Sequence, residues 1–219
     1  MLAATTESRL RPVRWSLGLG LVLTALLVAL AFVSTKVLRR VREQQKPLPV
    51  LGQVGAFTLT NQTSQPVTLT NFLGRVWIAD VIFTRCQSSC EILTRRLASL
   101  QAKLPPAARL QLVSLTADPE FDTPAVLKKY AEAHQAQPER WQFLAGPKRE
   151  IYRLAIEDLK FTVLDKTQEK REPLEEMFLH STLFVLVDQR GRIRGWFPGT
   201  EPSASDQLLA AVQRLLREP

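Results

Sequence analysis

The fold is decided by residues 76–100, which read VWIADVIFTRCQSSCEILTRRLASL. Val76–Phe83 is rich in β-branched and aromatic residues, a composition typical of a buried strand. Cys90–Leu104 instead places isoleucine and leucine at helical spacing, which predicts a helix. The two cysteines of the chain, Cys86 and Cys90, therefore mark the turn between strand and helix. Because ligand sites in α/β sheets usually lie beyond the carboxyl ends of the strands, this turn is the first candidate site.

The alternation of strand and helix patterns continues along the chain. Further strands are predicted at Phe57–Thr60, Pro66–Leu69, Leu110–Leu115, Trp141–Leu144, Phe161–Leu164, Thr182–Val187 and Ile193–Phe197, and further helices at Thr123–Ala133, at Lys148–Glu157 and from Ser203 onward. Thr123 is predicted to cap its helix, and Ser203–Asp206 matches a capping box. This order predicts an α/β domain with an N-terminal β-hairpin, and a thioredoxin-like three-layer sandwich fits it. Asp80, unusual inside a strand, is either a satisfied polar group or part of the site.

The N-terminal region contains 19 residues without a charge, Trp15–Val33. A helix of that length spans the roughly 30 Å hydrocarbon core of a bilayer. The sequence therefore predicts a basic head (1–14), a transmembrane anchor (15–35), a tether (36–53) and a folded body (54–219). Ala29–Ala31 resembles a signal-peptidase site, but the apolar stretch is longer than a signal peptide needs, which favours a retained anchor.

The positive charge of the chain is concentrated around the predicted anchor. Residues 1–46 hold eight Lys/Arg and two acidic residues, which leaves 21 basic and 19 acidic residues in the body. A nearly neutral body excludes a phosphate-tracking nucleic-acid surface and fits a membrane flank. Three basic residues precede the span and five follow it. Taken alone, that count would place the body in the cytoplasm.

The cysteine pair has the spacing of one helical turn. Residues four apart in a helix have Cα atoms about 6 Å apart, which permits either a disulfide or a shared metal ion. A helix N-terminus favours the thiolate, and Arg85 is expected to add to that effect. Two other interpretations remain: a plain disulfide, which would stabilise little across so short a loop, and a pair of inert buried thiols.

The two histidines differ in their surroundings. His134 ends a polar helix and is predicted to be solvent-exposed. His180 directly precedes the predicted strand Thr182–Val187, which could lie beside the cysteine turn, although a structural capping role is the alternative. Two thiolates and an imidazole suit copper, whereas zinc normally takes a fourth ligand. Met177 is a weak candidate for that position and fits a core or loop residue better.

Three ordered segments together resemble the Sco/SenC family. The resemblance extends, in order, from about Val54 to the end of the chain. The predicted anchor that precedes it is of the kind that the family carries. The segments are Phe83–Cys90 with its CxxxC spacing, Ser114–Pro124 ending in Asp-Thr-Pro, and His180–Thr182 followed by Phe184–Asp188 and Gly191.

The resemblance implies a thioredoxin-like fold and a copper ion held by Cys86, Cys90 and His180. It further implies a role in assembling the copper A centre of cytochrome c oxidase, with the oxidase subunit that carries this centre, or another copper enzyme, as partner. It places a single-pass protein in the inner (cytoplasmic) membrane with its body on the periplasmic side. Large domains translocate largely regardless of flanking charge, so this placement takes precedence over the charge count.

The chain departs from the family pattern at two positions. Family members usually carry proline after the first cysteine and often after the second, where this chain has Gln87 and Glu91. The copper affinity and redox potential are therefore open. Two further functions remain: a thiol–disulfide oxidoreductase with Cys86 and Cys90 as its catalytic pair, and a disulfide-stapled interaction domain. The metallochaperone interpretation is preferred, and under it the protein is not expected to be an enzyme.

Overall fold

The computed structural model describes residues 11–86, 88–105, 109–165 and 178–218. Contacts divide the chain into two units that meet between Lys46 and Pro47. The first unit is one helix, α1 (Arg11–Gln45). Its segment Val22–Arg39 is long and apolar enough to cross a membrane, and no other described helix is.

The second unit is a mixed α/β domain. In chain order its elements are β1 (Gly52–Gln53), β2 (Thr58–Asn61), β3 (Pro66–Thr68), β4 (Val76–Ile82), α2 (Ser89–Lys103), β5 (Leu110–Thr116), α3 (Pro124–Ala133), β6 (Trp141–Ala145), α4 (Lys148–Tyr152), β7 (Val163–Asp165), β8 (Phe178–His180), β9 (Leu183–Val187), β10 (Arg192–Pro198) and α5 (Ala204–Leu215).

Eight strands form the central sheet, in the order β1-β10-β9-β4-β5-β6-β2-β3. Strands β4, β5 and β6 are parallel, and β9 joins β4 antiparallel. Every residue of β4 and β5 is buried, which explains why most of their residues are apolar. The predicted parallel pairing and both predicted hairpins, β2–β3 and β9–β10, are confirmed. Strands β7 and β8 form a separate two-stranded sheet.

The helices pack on the sheet through the apolar residues that their sequence patterns predict to be buried. Leu93, Leu97 and Leu100 of α2 are buried, and α2 packs against β4 and α5. Helix α3 packs on β6. This burial holds the N-terminus of α2 at the end of β4, where the cysteines lie.

Local details differ from the predictions at several points. The helix predicted at Lys148–Glu157 is α4 followed by a π-helical segment, Arg153–Asp158. Thr123 caps α3 as predicted, since its side chain accepts the Val126 N–H at 3.4 Å. The capping box at Ser203 is wrong, because Ser203 has helical backbone angles and its side chain makes no cap hydrogen bond.

Two short strands carried no recognisable sequence pattern. Strand β1 lies in the segment that the sequence assigned to the tether, and it pairs with β10. Strand β8 includes His180, which was predicted only to precede a strand, and it pairs with β7. Each has two or three residues, too few for an alternating pattern to show.

Candidate metal centre

The cysteines lie at the carboxyl end of β4, as the sequence predicts. The Cys86 N–H donates to the Phe83 carbonyl at 3.1 Å, which turns the chain after the strand. Cys90 is in the first turn of α2. The two cysteines are 5% and 0% exposed and are not joined in a disulfide, so the predicted disulfide alternative is not formed here.

The two thiols are in direct contact. The hydrogen bond between Cys90 and Cys86 is the largest influence on the pKa of the Cys90 thiol, which it raises, and burial raises that pKa further. The buried Asp80 acts in the same direction, while a backbone hydrogen bond from Phe83 opposes it. The expected helix-end stabilisation of the thiolate is therefore wrong for Cys90. The pair is thus a buried dithiol in which the Cys90 thiol resists ionisation, and a metal ion or an oxidant can convert it.

Arg85 pairs with a carboxylate on the segment after β5. Its Nη2 atom lies 2.5 Å from the Asp118 carboxylate, and its guanidinium lies 4.2 Å from the centre of the Phe121 ring. Asp118 thus offsets the positive charge that Arg85 was expected to supply beside Cys86. Arg85 instead ties the cysteine turn to the segment after β5.

A second contact joins the same two segments. The Thr84 N–H donates to the Asp122 carboxylate at 3.1 Å, and the hydroxyls of Thr84 and Thr116 donate to it as well. Asp122 is fully buried, and this burial raises the pKa of its carboxyl despite the hydrogen bonds. Its sequence segment contributed to the family resemblance, but no role was predicted for it. Asp122 positions the cysteine turn against β5.

The structure places the backbone of His180 but does not describe its side chain. His180 ends β8, three residues before β9 begins. Because β9 runs antiparallel to β4, its start lies beside the end of β4 that leads to the cysteines. The backbone of His180 is thus near the cysteine end of the sheet, as the sequence predicts. Gln87 and Met177 lie outside the described residues.

His134 is not solvent-exposed, contrary to the prediction. Its side chain is 14% exposed, and its Nε2 atom lies 3.5 Å from a carboxylate oxygen of Glu91. Its ring lies 4.5 Å from the Tyr130 ring, and the same carboxylate of Glu91 accepts the Arg95 Nε–H at 2.7 Å. These contacts result from the packing of α3 beside α2, and no local sequence pattern predicts them. Glu91, the residue after Cys90, thus connects the start of α2 to the end of α3.

The described side chains supply two ligands at this turn. Among them, no group of three His, Cys, Asp or Glu residues lies close enough to hold a metal ion. Asp118 pairs with Arg85, and Asp122 accepts a hydrogen bond from Thr84. Neither carboxylate therefore adds a third ligand to the two cysteines. The chemistry of two adjacent, buried sulfurs suits a soft ion such as Cu(I).

The mixed sheet, with paired cysteines where β4 passes into α2, defines a thioredoxin-like protein of the thiol-dependent redox or metal-binding class. The chain belongs to the SCO1/SenC family, whose model matches residues 47–217. The predicted fold and family are thereby confirmed.

Several relatives agree with this assignment. The chain is 32% identical to the SCO1 protein homolog of Bacillus subtilis over 172 residues, 78% of this chain and 86% of the relative. A solved structure of BsSco, described as a member of the Sco family of cytochrome c oxidase assembly proteins with a disulfide switch, is 29% identical. It has a TM-score of 0.68, and the match covers 80% of this chain and all of BsSco. A SCO1/SenC family lipoprotein of Bacillus anthracis is 28% identical with a TM-score of 0.66, over 76% of this chain and 96% of the lipoprotein.

Proposed function

We propose that this chain is a membrane-anchored copper carrier that serves the assembly of the copper A centre of cytochrome c oxidase. The observation that carries the proposal is the buried, reduced thiol pair of Cys86 and Cys90 at the end of β4. Its family consists of copper-binding proteins involved in oxidase assembly. The copper ion is the cargo, which the partner receives by ligand exchange.

The donor set is proposed to be the thiolates of Cys86 and Cys90 with the imidazole of His180. Copper binding releases the thiol protons, and the copper–sulfur bonds supply the free energy that deprotonates Cys90 against its raised pKa. The position of β8 near the cysteine end of the sheet supports His180 as the third ligand. His134 is excluded as that ligand by its place against Glu91 and Tyr130.

The anchor and the partner complete the proposal. Helix α1 contains a segment of membrane-spanning length and composition, which would hold the domain at the inner membrane by a single pass. The domain would then act on the periplasmic side, on the oxidase subunit that carries the copper A site or on another copper enzyme.

The test is a copper titration of the reduced fragment 47–219. A probe that competes for Cu(I) should report one copper per chain, and replacing both cysteines by serine should abolish binding. His180→Ala should weaken binding at least tenfold, because one of three ligands is lost. His134→Ala is the matched control and should bind like the parent. If His180→Ala binds as tightly as the parent, the three-ligand proposal fails.

A second function is supported by the direct contact between the two thiols. A dithiol of this kind can reduce a disulfide in a partner protein: Cys86 and Cys90 form a disulfide, and two electrons and two protons pass to the partner cysteines. The partner's cysteines need this reduction before they accept copper, so the two functions are compatible. A fragment that reduces a model disulfide but binds no Cu(I) would leave reduction as the only function.

A further inference from the structure

An arginine cleft lies at the end of the sheet opposite the cysteines. It has a volume of about 820 Å³ and is lined by Arg109, Arg190, Arg217 and Glu218, with Gly74 at one side. Arg109 immediately precedes β5, and its carbonyl accepts the N–H of Val76, the first residue of β4. The seven-residue strand β4 therefore separates the cleft from the cysteine turn by about 20 Å.

The arginine cleft carries uncompensated positive charge. Arg109, Arg190 and Arg217 are exposed, and none has an ion pair within the described ranges. Glu218 does not neutralise them, because it pairs with Arg194, which is 2% exposed, at 2.9 Å. The domain as a whole has a net charge of only +2, so three exposed arginines at one cleft are a large share of it.

The chain that follows α1 joins the domain at this same end. The Leu48 N–H donates to Glu218 at 3.4 Å, and Arg194 donates to the Leu48 carbonyl at 2.5 Å. The membrane-length segment of α1 ends at Arg39. Nine residue steps lead from Arg39 to Leu48, and they span at most about 30 Å. A bilayer that holds α1 is therefore within reach of the arginine cleft.

We infer that the arginine cleft binds the phosphate headgroups of anionic phospholipids. Guanidinium groups suit phosphate oxygens, and each basic residue near an anionic surface contributes favourably. Binding at this end would direct the cysteine turn away from the bilayer, toward a partner. The inference rests on the membrane anchor of the proposed function but not on copper.

The test uses fragment 47–219, which contains the whole hydrophobic core, Val54 to Leu215. The fragment should sediment with phosphatidylglycerol vesicles and not with phosphatidylcholine vesicles. Replacing Arg109, Arg190 and Arg217 by glutamine should weaken binding to these vesicles roughly a hundredfold, at about fivefold for each charge. The control variant replaces the exposed Lys128, Lys129 and Lys160 by glutamine, which removes the same charge elsewhere.

The possible outcomes separate the explanations. Equal loss in the two triple variants would overturn the inference, since net charge alone would then govern binding. Binding of millimolar inorganic phosphate by the fragment, without sedimentation on phosphatidylglycerol vesicles, would also overturn it and assign the cleft to soluble phosphate. Copper titration of the arginine triple variant should match the parent, so failure of the lipid inference and failure of copper binding are distinguishable.

Discussion

Thr84 donates its backbone N–H to the buried carboxylate of Asp122 at 3.1 Å, two residues before Cys86. This bond joins the end of β4 to the segment after β5, and the Thr116 hydroxyl reinforces it. The cysteine turn is therefore held from a neighbouring strand as well as by its own helix.

Asp122→Ala should lower the free energy of unfolding by about 1–3 kcal/mol, because it leaves buried donors of Thr84 and Thr116 unsatisfied. Asp122→Asn should recover part of the loss through its amide oxygen. Urea denaturation of fragment 47–219 measures both. Glu120→Ala is the control, since that side chain is 83% exposed and should change stability little. Equal stability of Asp122→Ala and the control would refute the role of Asp122.

Asp188 should contribute to stability in a pH-dependent way. Burial raises the pKa of its carboxyl, but hydrogen bonds from Arg192, Arg194 and Arg190 outweigh burial, and the pKa lies below its usual value. The contribution is therefore present above the unfolded-state pKa of about 4 and is lost as pH falls through the folded-state value. Urea denaturation should show Asp188→Asn less stable than the parent at pH 7, with a smaller difference at pH 3. A difference that grows on acidification would contradict this.

Gly199 should tolerate no side chain. A Cβ there would lie 2.9 Å from the Thr182 carbonyl oxygen and would also meet Leu93 of α2 and the Phe184 ring. Gly199→Ala should therefore cost about 1–3 kcal/mol of unfolding free energy. Gly52→Ala is a milder control, since its Cβ would meet only the Ile193 side chain, at 3.3 Å. Similar denaturation midpoints for the two variants would show that the strand end adjusts freely.

The cysteines should differ in their access to alkylating reagents. Cys86 is slightly exposed and Cys90 is fully buried. In the reduced protein, iodoacetamide should modify Cys86 several-fold faster than Cys90, as mass spectrometry of the labelled peptides would show. The two rates should converge in urea, which removes the difference in burial. Faster labelling of Cys90 in the folded protein would contradict the structure.

The sequence was sufficient for the features that depend on local pattern. Strand β4, helix α2 and the cysteine turn between them follow from apolar periodicity, and three ordered segments identified the family. The short strands β1 and β8 were missed, because their pairing depends on distant segments of the chain.

The surroundings of the site were harder to predict than its position. The direction of Arg85 depends on Asp118, which is 33 residues away, and the burial of His134 depends on α3 packing beside Glu91. The helix-end argument for a thiolate omitted burial, which works in the opposite direction at Cys90. Electrostatics at a buried site follow from tertiary contacts, which the spacing of residues does not show.

The most direct test of the copper proposal is X-ray absorption spectroscopy of fragment 47–219 loaded with Cu(I). The account predicts two sulfur ligands and one imidazole nitrogen around the copper ion, from Cys86, Cys90 and His180. In His180→Ala the nitrogen contribution should disappear while both sulfur ligands remain. A copper ion without sulfur ligands, or an unchanged nitrogen contribution in His180→Ala, would contradict the account.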